Sequence, residues 1–100
     1  MEYKIRIPHS AKKDIEEIVE YYLDDRPDYA QKIFDSLFSR INSLKVFPKK
    51  GKIVPELLEY NINAYREIIE SYWRIIYRID NNIVEIFTVI DARRNVQDLL

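Results

Sequence analysis

The chain opens on a strict alternation. Tyr3, Ile5 and Ile7 fall on one side of an extended backbone and Glu2, Lys4 and Arg6 on the other, which predicts a half-buried strand. Pro8 closes it, because proline has no N–H to give to a ladder. The period then changes. Ala11, Ile15, Ile18, Val19 and Tyr22 recur at helical spacing, with Lys12, Lys13, Glu16, Glu17 and Glu20 opposite and Ser10 placed to cap the helix. A second helix is predicted from Pro27, whose fixed φ suits a first helical position, to near Phe47, where Pro48 disfavours a helical predecessor. Its apolar stripe is Ala30, Ile33, Phe34, Leu37, Phe38, Ile41 and Leu44. Two amphipathic helices with a short connection predict an antiparallel hairpin.

The second half reads as a meander. Phe47 to Pro55 holds two prolines and Gly51, the single glycine, and is the predicted long loop. Residues 64–70, 72–79 and 83–90 are rich in β-branched and aromatic types and predict three strands. Asp80-Asn81-Asn82-Ile83 is the tight turn between the last two, since asparagine tolerates positive φ. That turn sets Arg78 opposite Glu85 and Arg74 opposite Val89. Residues 92–100 form a short polar tail open to a helical turn. The expected fold is α+β. The helical hairpin packs on one face of a twisted, mainly antiparallel four-stranded sheet, with the first strand beside the last or the second strand of the meander. Ile68, Ile76 and either Val89 or Phe87 are expected to lie partly exposed on the other face. Tyr22 and Tyr77 are expected in the core, and Tyr21 and Tyr72 outside it.

Composition narrows the function classes. One hundred residues with 47% apolar and 33% charged side chains make one domain, 1–100, rather than a disordered tail. The absence of cysteine excludes a disulfide scaffold and thiolate metal sites. His9, the one histidine, makes no metal site, so neither metal nor cofactor is expected. No apolar run is long enough to span a bilayer and the first residues are not a signal peptide, so a cytoplasmic protein without a membrane partner is expected. The net charge of −1 is no nucleic-acid signature, so any such contact must come from a local patch. One candidate is Lys45, Lys49, Lys50 and Lys52, four cations within eight residues and no acid among them. Beyond residue 60 all five basic residues are arginine, the side chain suited to carboxylate and phosphate.

Tyr65-Arg66-Glu67-Ile68, Tyr72-Trp73-Arg74-Ile75-Ile76-Tyr77-Arg78-Ile79, Val84-Glu85-Ile86-Phe87 and Asp91-Ala92-Arg93-Arg94 follow one another in an order and at a length that resemble the RelE/ParE superfamily of type II toxins. Ser10-Ala11, Asp14 to Ile18, Tyr21-Tyr22 and Ala30 support the resemblance, which covers essentially the whole chain. It implies a toxin of a plasmid-stabilisation module, held off by a cognate antitoxin. It also implies two biochemistries. RelE-like members are ribosome-dependent mRNA interferases; ParE-like members inhibit growth by binding DNA gyrase.

Metal-independent RNA cleavage needs a base, an acid and a phosphate holder. By resemblance, Arg66, Arg74 and Arg93 match basic positions of the nucleases, and three arginines converging on one sheet face would hold a phosphate. The match then fails. Ile68 stands where a second basic residue is frequent, and Leu99 stands near the place of a tail tyrosine. Arginine is a poor proton shuttle. The first helix with Asp14, Glu17, Tyr21 and Tyr22, and the Arg93-Arg94 ending, resemble the ParE-like arrangement instead. The expectation is a ParE-like, non-enzymatic toxin with Arg66, Arg74, Arg93, Arg94, Lys49, Lys50 and Lys52 as phosphate- or target-binding candidates. The alternatives are a RelE-like interferase acting on ribosome and mRNA, and a non-toxic interaction module of the same fold.

Overall fold

The computed structural model describes residues 2–99. Strand β1 (Lys4–Arg6) leads into α1 (His9–Leu23) and α2 (Pro27–Ser43); β2 (Lys52–Ile53) and the short α3 (Pro55–Leu58) follow; β3 (Tyr65–Glu70), β4 (Trp73–Asp80) and β5 (Ile83–Asp91) form the meander, and a 3₁₀ turn (Val96–Leu99) ends the chain. The sheet order is β1-β5-β4-β3-β2, with β1 parallel to β5 and every other pair antiparallel. The expected α+β class and hairpin are present, and the first strand lies beside the last. The sheet has five strands rather than four. The additional one, β2, is two residues long inside the predicted loop, too short to leave a hydrophobic period.

The helix-facing core joins Ala11 and Ile15 of α1, Ile33, Leu37 and Ile41 of α2, and Ile68, Ile75, Tyr77, Val84, Ile86 and Val89 of the sheet. Helix α1 begins at His9, not after Ser10. No side chain caps it; the carbonyl of Pro8 accepts from Lys12 N at 3.0 Å and closes the first turn through the backbone. Pro27 opens α2 as expected, but α2 ends at Ser43 rather than near Phe47. There the bonds tighten to three-residue spacing, from Leu44, Lys45 and Val46 to the carbonyls of Ile41, Asn42 and Ser43, the usual way a helix end satisfies its last carbonyls.

The face away from the hairpin is covered, contrary to expectation. Helix α3 and the terminal 3₁₀ turn close over it, and Val54, Leu57, Ile76, Ile90 and Val96 form a second small core flanked by Tyr65. Ile68 and Val89 belong to the helix side, so of the residues expected there only Phe87 stays exposed, at 37%. Its ring lies 5.4 Å from that of Tyr65. Tyr77 is fully buried and Tyr22 packs at the core edge, whereas Tyr21 (79% exposed) and Tyr72 (67%) stand in solvent, as read from the sequence.

Arg78 does face Glu85, with Nε 3.3 Å from Oε1. Arg74 faces Ile90 instead of Val89. The register slips by one between Ile76 and Tyr77, leaving Phe87 as the extra residue of a bulge, which a count from the turn cannot anticipate. Arg78 is 43% exposed, so its pair with Glu85 is screened. Arg78→Ala should lower stability by no more than about 1 kcal/mol in a urea titration.

Candidate binding groove and the placement of the arginines

Strand β1 covers β5 only as far as Glu85, so the outer edge of β5 beyond that point has no strand neighbour. Helix α1 fills part of the gap. The Asp14 carboxylate accepts from Thr88 Oγ1 at 2.6 Å and from Val89 N at 3.3 Å, taking one N–H that a missing strand would have bonded. The remaining space is a groove of about 430 Å³ between α1 and the C-terminal half of β5. Ile18, Tyr22, Trp73 and Ile90 supply apolar lining, and Glu17, Tyr21, Arg93 and Arg94 the polar rim. Tyr21 stands edge-on to Tyr22 with centroids 4.9 Å apart; Tyr22 does the same to Tyr29 at 5.0 Å, and the Arg26 guanidinium sits 4.1 Å above the Tyr29 ring. Trp73 Nε1 is buried and has no hydrogen-bond acceptor among the described residues, a cost to the fold. The α1 residues were legible through resemblance; Trp73 was not, because its aromatic strand context reads as core.

At the groove mouth, Arg93 donates from Nε and Nη2 to the two carboxylate oxygens of Asp91, each at 3.0 Å. The Arg93 side chain first, and then its backbone N–H, hold the Asp91 carboxyl at about 2, and the same contact raises Arg93. Arg93 and Arg94 are both exposed.

Arg74 is buried. Its Nη1 and Nη2 donate to Glu56 Oε2 and Oε1 at 2.7 and 2.9 Å, and its Nε and Nη2 to Glu67 Oε2 and Oε1 at 3.2 and 2.6 Å. Nη1 also donates to the Arg94 carbonyl at 2.8 Å. A guanidinium has five N–H groups, so none is left for a phosphate. The Arg74 hydrogen bonds hold the Glu56 carboxyl at about 2 against the opposing effect of burial, with Val96 N adding a bond at 3.0 Å. The same two carboxylates raise Arg74 above its ordinary value. Glu56 and Glu67 escaped the sequence reading. The available signal was Arg74 itself, a charge in the middle of an apolar strand that must find acidic partners if buried.

Arg66 is directly opposite Tyr77 and so shares the helix side of the sheet, whereas Arg74 lies opposite Ile90 on the other side. Arg66 Nη1 donates to the carbonyls of Lys49 and Gly51 at 3.3 and 2.7 Å, not to a strand-neighbour glutamate. The three arginines therefore do not converge on one face. Lys49 and Lys50 are exposed on the loop after α2, while Lys52 pairs with Glu67 across the β2–β3 ladder and leans toward the Arg74 side. The Leu99 side chain, at the place of a tail tyrosine, lies outside the described residues. Among the described residues no three of His, Cys, Asp and Glu come together to hold a metal ion, and no helix is long and apolar enough to cross a membrane.

Residues 5–96 match the family model described as the ParE toxin of the type II toxin–antitoxin system parDE. No curated protein matches the chain significantly by sequence. Among solved structures, a chain of the chromosomal ParDE toxin–antitoxin system from P. aeruginosa is similar at 14% identity and a TM-score of 0.73, covering 91% of this chain and 97% of that one. A chain of the RelBE2 toxin–antitoxin complex from Mycobacterium tuberculosis is similar at 20% identity and a TM-score of 0.61, covering 91% and 99%. Identities this low show the fold alone.

Proposed function

We propose, for a chain that belongs to the ParE toxin family of type II toxin–antitoxin systems, that growth inhibition comes from binding DNA gyrase rather than from cutting RNA. The observation that carries this reading is the placement of the arginines. Arg66 and Arg74 lie on opposite sides of the sheet, and every N–H of Arg74 is already bonded within the fold. The hydroxyl of Tyr77 is equally committed, donating to the Pro48 carbonyl at 2.7 Å and accepting from Gly51 N at 3.1 Å. Nuclease chemistry needs a phosphate holder beside a free proton donor; these groups instead hold the fold. What the surface offers is a contact area, with Arg93 and Arg94 exposed at the groove mouth as target-binding residues.

In the same reading the cognate antitoxin lays a segment into the groove between α1 and β5. The lining supports this, apolar in the middle and charged at the rim, the anatomy of a protein–protein contact. An occupant there would cover Arg93 and Arg94, and so block the target-binding surface.

Gyrase supercoiling of relaxed plasmid in the presence of the purified chain tests this. Inhibition is expected. The exposed double variant Arg93→Ala/Arg94→Ala is expected to stay folded, with at most a small fall in the unfolding midpoint from the lost Arg93–Asp91 pair, and to weaken inhibition by at least about tenfold, the equivalent of ~1.4 kcal/mol of binding. Full supercoiling at saturating protein, together with new cuts in a reporter mRNA in a translating extract, would replace this reading with the interferase one.

A further inference from the structure

The near-neutral total charge conceals one unbalanced surface. Between Ser36 and Pro55 there are five cations and no acid, so the other eighty residues carry eleven basic side chains against seventeen acidic ones. The structure draws part of this excess together. The Lys50 ammonium donates to Ser43 Oγ at the end of α2. Burial, and then the charge of nearby Arg40, lower the Lys50 ammonium below the usual lysine value. Arg66 reaches over from β3 and holds the Lys49 and Gly51 carbonyls, which adds its own charge to the loop and fixes the loop's shape. None of Arg40, Lys49, Lys50 and Arg66 has an ion-pair partner among the described residues. Glu67, next to Arg66 on β3, is turned to the opposite side of the sheet and bound to Arg74, and Arg40 Nη2 donates to the Ile69 carbonyl at 3.3 Å. Carbonyls at the C-terminal end of α2 offset about half a charge, which leaves most of four like charges uncompensated.

The same loop presents an apolar tip. Phe47 is 65% exposed and its neighbour Val46 56%. The bond from Lys50 N to the Phe47 carbonyl, at 3.2 Å, closes a turn that keeps the phenyl ring and the two lysines on one short segment. An uncancelled cluster of cations beside an exposed aromatic ring matches one partner chemistry. Phosphates neutralise the cations, and an unstacked base lies on the ring. A base paired in a duplex has no free face to offer.

We infer that the loop after α2, with Arg40, Lys49, Lys50 and Arg66 around Phe47, is a contact surface for single-stranded nucleic acid. The inference stands apart from gyrase inhibition, since it concerns a surface distinct from the groove and requires no topoisomerase. A fluorescein-labelled oligothymidine strand and its duplex with oligoadenine, followed by anisotropy at low salt, test it without any other protein. The strand is expected to bind more tightly than the duplex. Its log–log salt slope is expected near −2 to −3, about −0.7 for each of three or four phosphate contacts. Lys49→Gln/Lys50→Gln should flatten that slope by about 1.4, and Phe47→Ala should weaken binding about tenfold through lost stacking. Lys12→Gln/Lys13→Gln removes the same charge from exposed positions on α1 and should change nothing. Absence of binding, equal weakening by the α1 variant, or duplex binding that ignores Phe47→Ala would each overturn the inference. Binding that persists while gyrase inhibition fails would sustain it and reject the gyrase reading alone.

Discussion

Replacing Arg74 by methionine is expected to lower the stability of the folded protein by about 3–5 kcal/mol, read as a fall in the urea midpoint. Domains of this size have only about 5–15 kcal/mol in all, so the variant should sit at the margin of folding. The loss comes from what remains. Glu67 and Glu56, with side chains 3% and 17% exposed, would keep their carboxylates with no counter-charge. Val96 N and the Arg94 carbonyl, which meet at the same cluster, would lose the anchor of the terminal turn. Arg74→Lys keeps the charge but supplies three donors where five are used, so it should fall between the two. Arg74→Met with Glu56→Gln and Glu67→Gln should recover part of the loss, because an apolar group among neutral amides costs less than unpaired charge. A triple variant no more stable than Arg74→Met alone would show that shape rather than charge is at stake.

The pH dependence gives a second reading of the same cluster. The Glu56 carboxyl is held at about 2, below its ordinary 4.5. A depressed carboxylate contributes stability that is fully present above the unfolded value and is lost as pH falls through the folded one. The wild-type curve should therefore be level above about pH 5 and decline toward pH 2. In Arg74→Met the largest influence lowering Glu56 is gone, leaving burial opposed by two backbone hydrogen bonds, so that contribution should shrink and the variant should decline less toward acid. Asp91, held at about 2 by Arg93, gives both proteins the same acid limb. The difference between the two curves isolates the loss of Arg74 from its two carboxylates.

The second large effect is expected at Gly51. A Cβ there would meet Tyr77 Oη at 2.5 Å and the Glu67 carbonyl oxygen at 2.7 Å. One is a buried phenol and the other backbone in the middle of the β2–β3 ladder, so neither yields cheaply. Gly51→Ala should cost about 1–3 kcal/mol or more. The reason is close approach, since no glycine has positive φ. Tyr77→Phe should cost a similar amount by another route, since it leaves the buried Gly51 N–H and the Pro48 carbonyl without a partner, at about 1–3 kcal/mol for each group. The two should not add. Removing the hydroxyl makes room for part of the new methyl, so the double variant should be more stable than the sum of the single losses implies, by about 0.5–3 kcal/mol. Strict additivity would mean that the clash with Glu67 alone sets the cost.

These clusters also mark where the sequence stops being legible. Strong periodicity made the hairpin, the meander and the Asp80–Ile83 turn readable, and the Arg78–Glu85 register followed from the turn. Three features left no period. Strand β2 is too short, helix α3 is a single turn after a proline, and the bulge at Phe87 changes register without changing composition. The second small core was invisible for that reason. Ile76 looked partly exposed because the segments that cover it and Ile90, around Leu57 and Val96, are four residues each. The groove was half readable, since α1 has a distinctive acidic and tyrosine pattern, whereas Trp73 shows its unpartnered N–H only in three dimensions. Arg66, Arg74 and Arg93 looked alike as letters. Alternation along the strands sends the first two to opposite sides, and acidic partners distant in sequence consume the second.

The parallel pairing of β1 with β5 has a consequence for the order in which the molecule is completed. Residues 4–6 leave the ribosome well before residues 83–85, with which they pair. Tyr3 and Lys4 are meanwhile tied to the carbonyls of Lys45 and Asn82. A nascent chain can close the α1–α2 hairpin early, from local contacts, yet β1 has no neighbouring strand until residues 83–85 have been made. Long-range pairings of this kind are also the slow ones to form. The groove, whose floor is β5 and whose mouth is Arg93 and Arg94, is therefore completed after the hairpin that forms its wall, and the binding face exists only once residues 83–94 have been made.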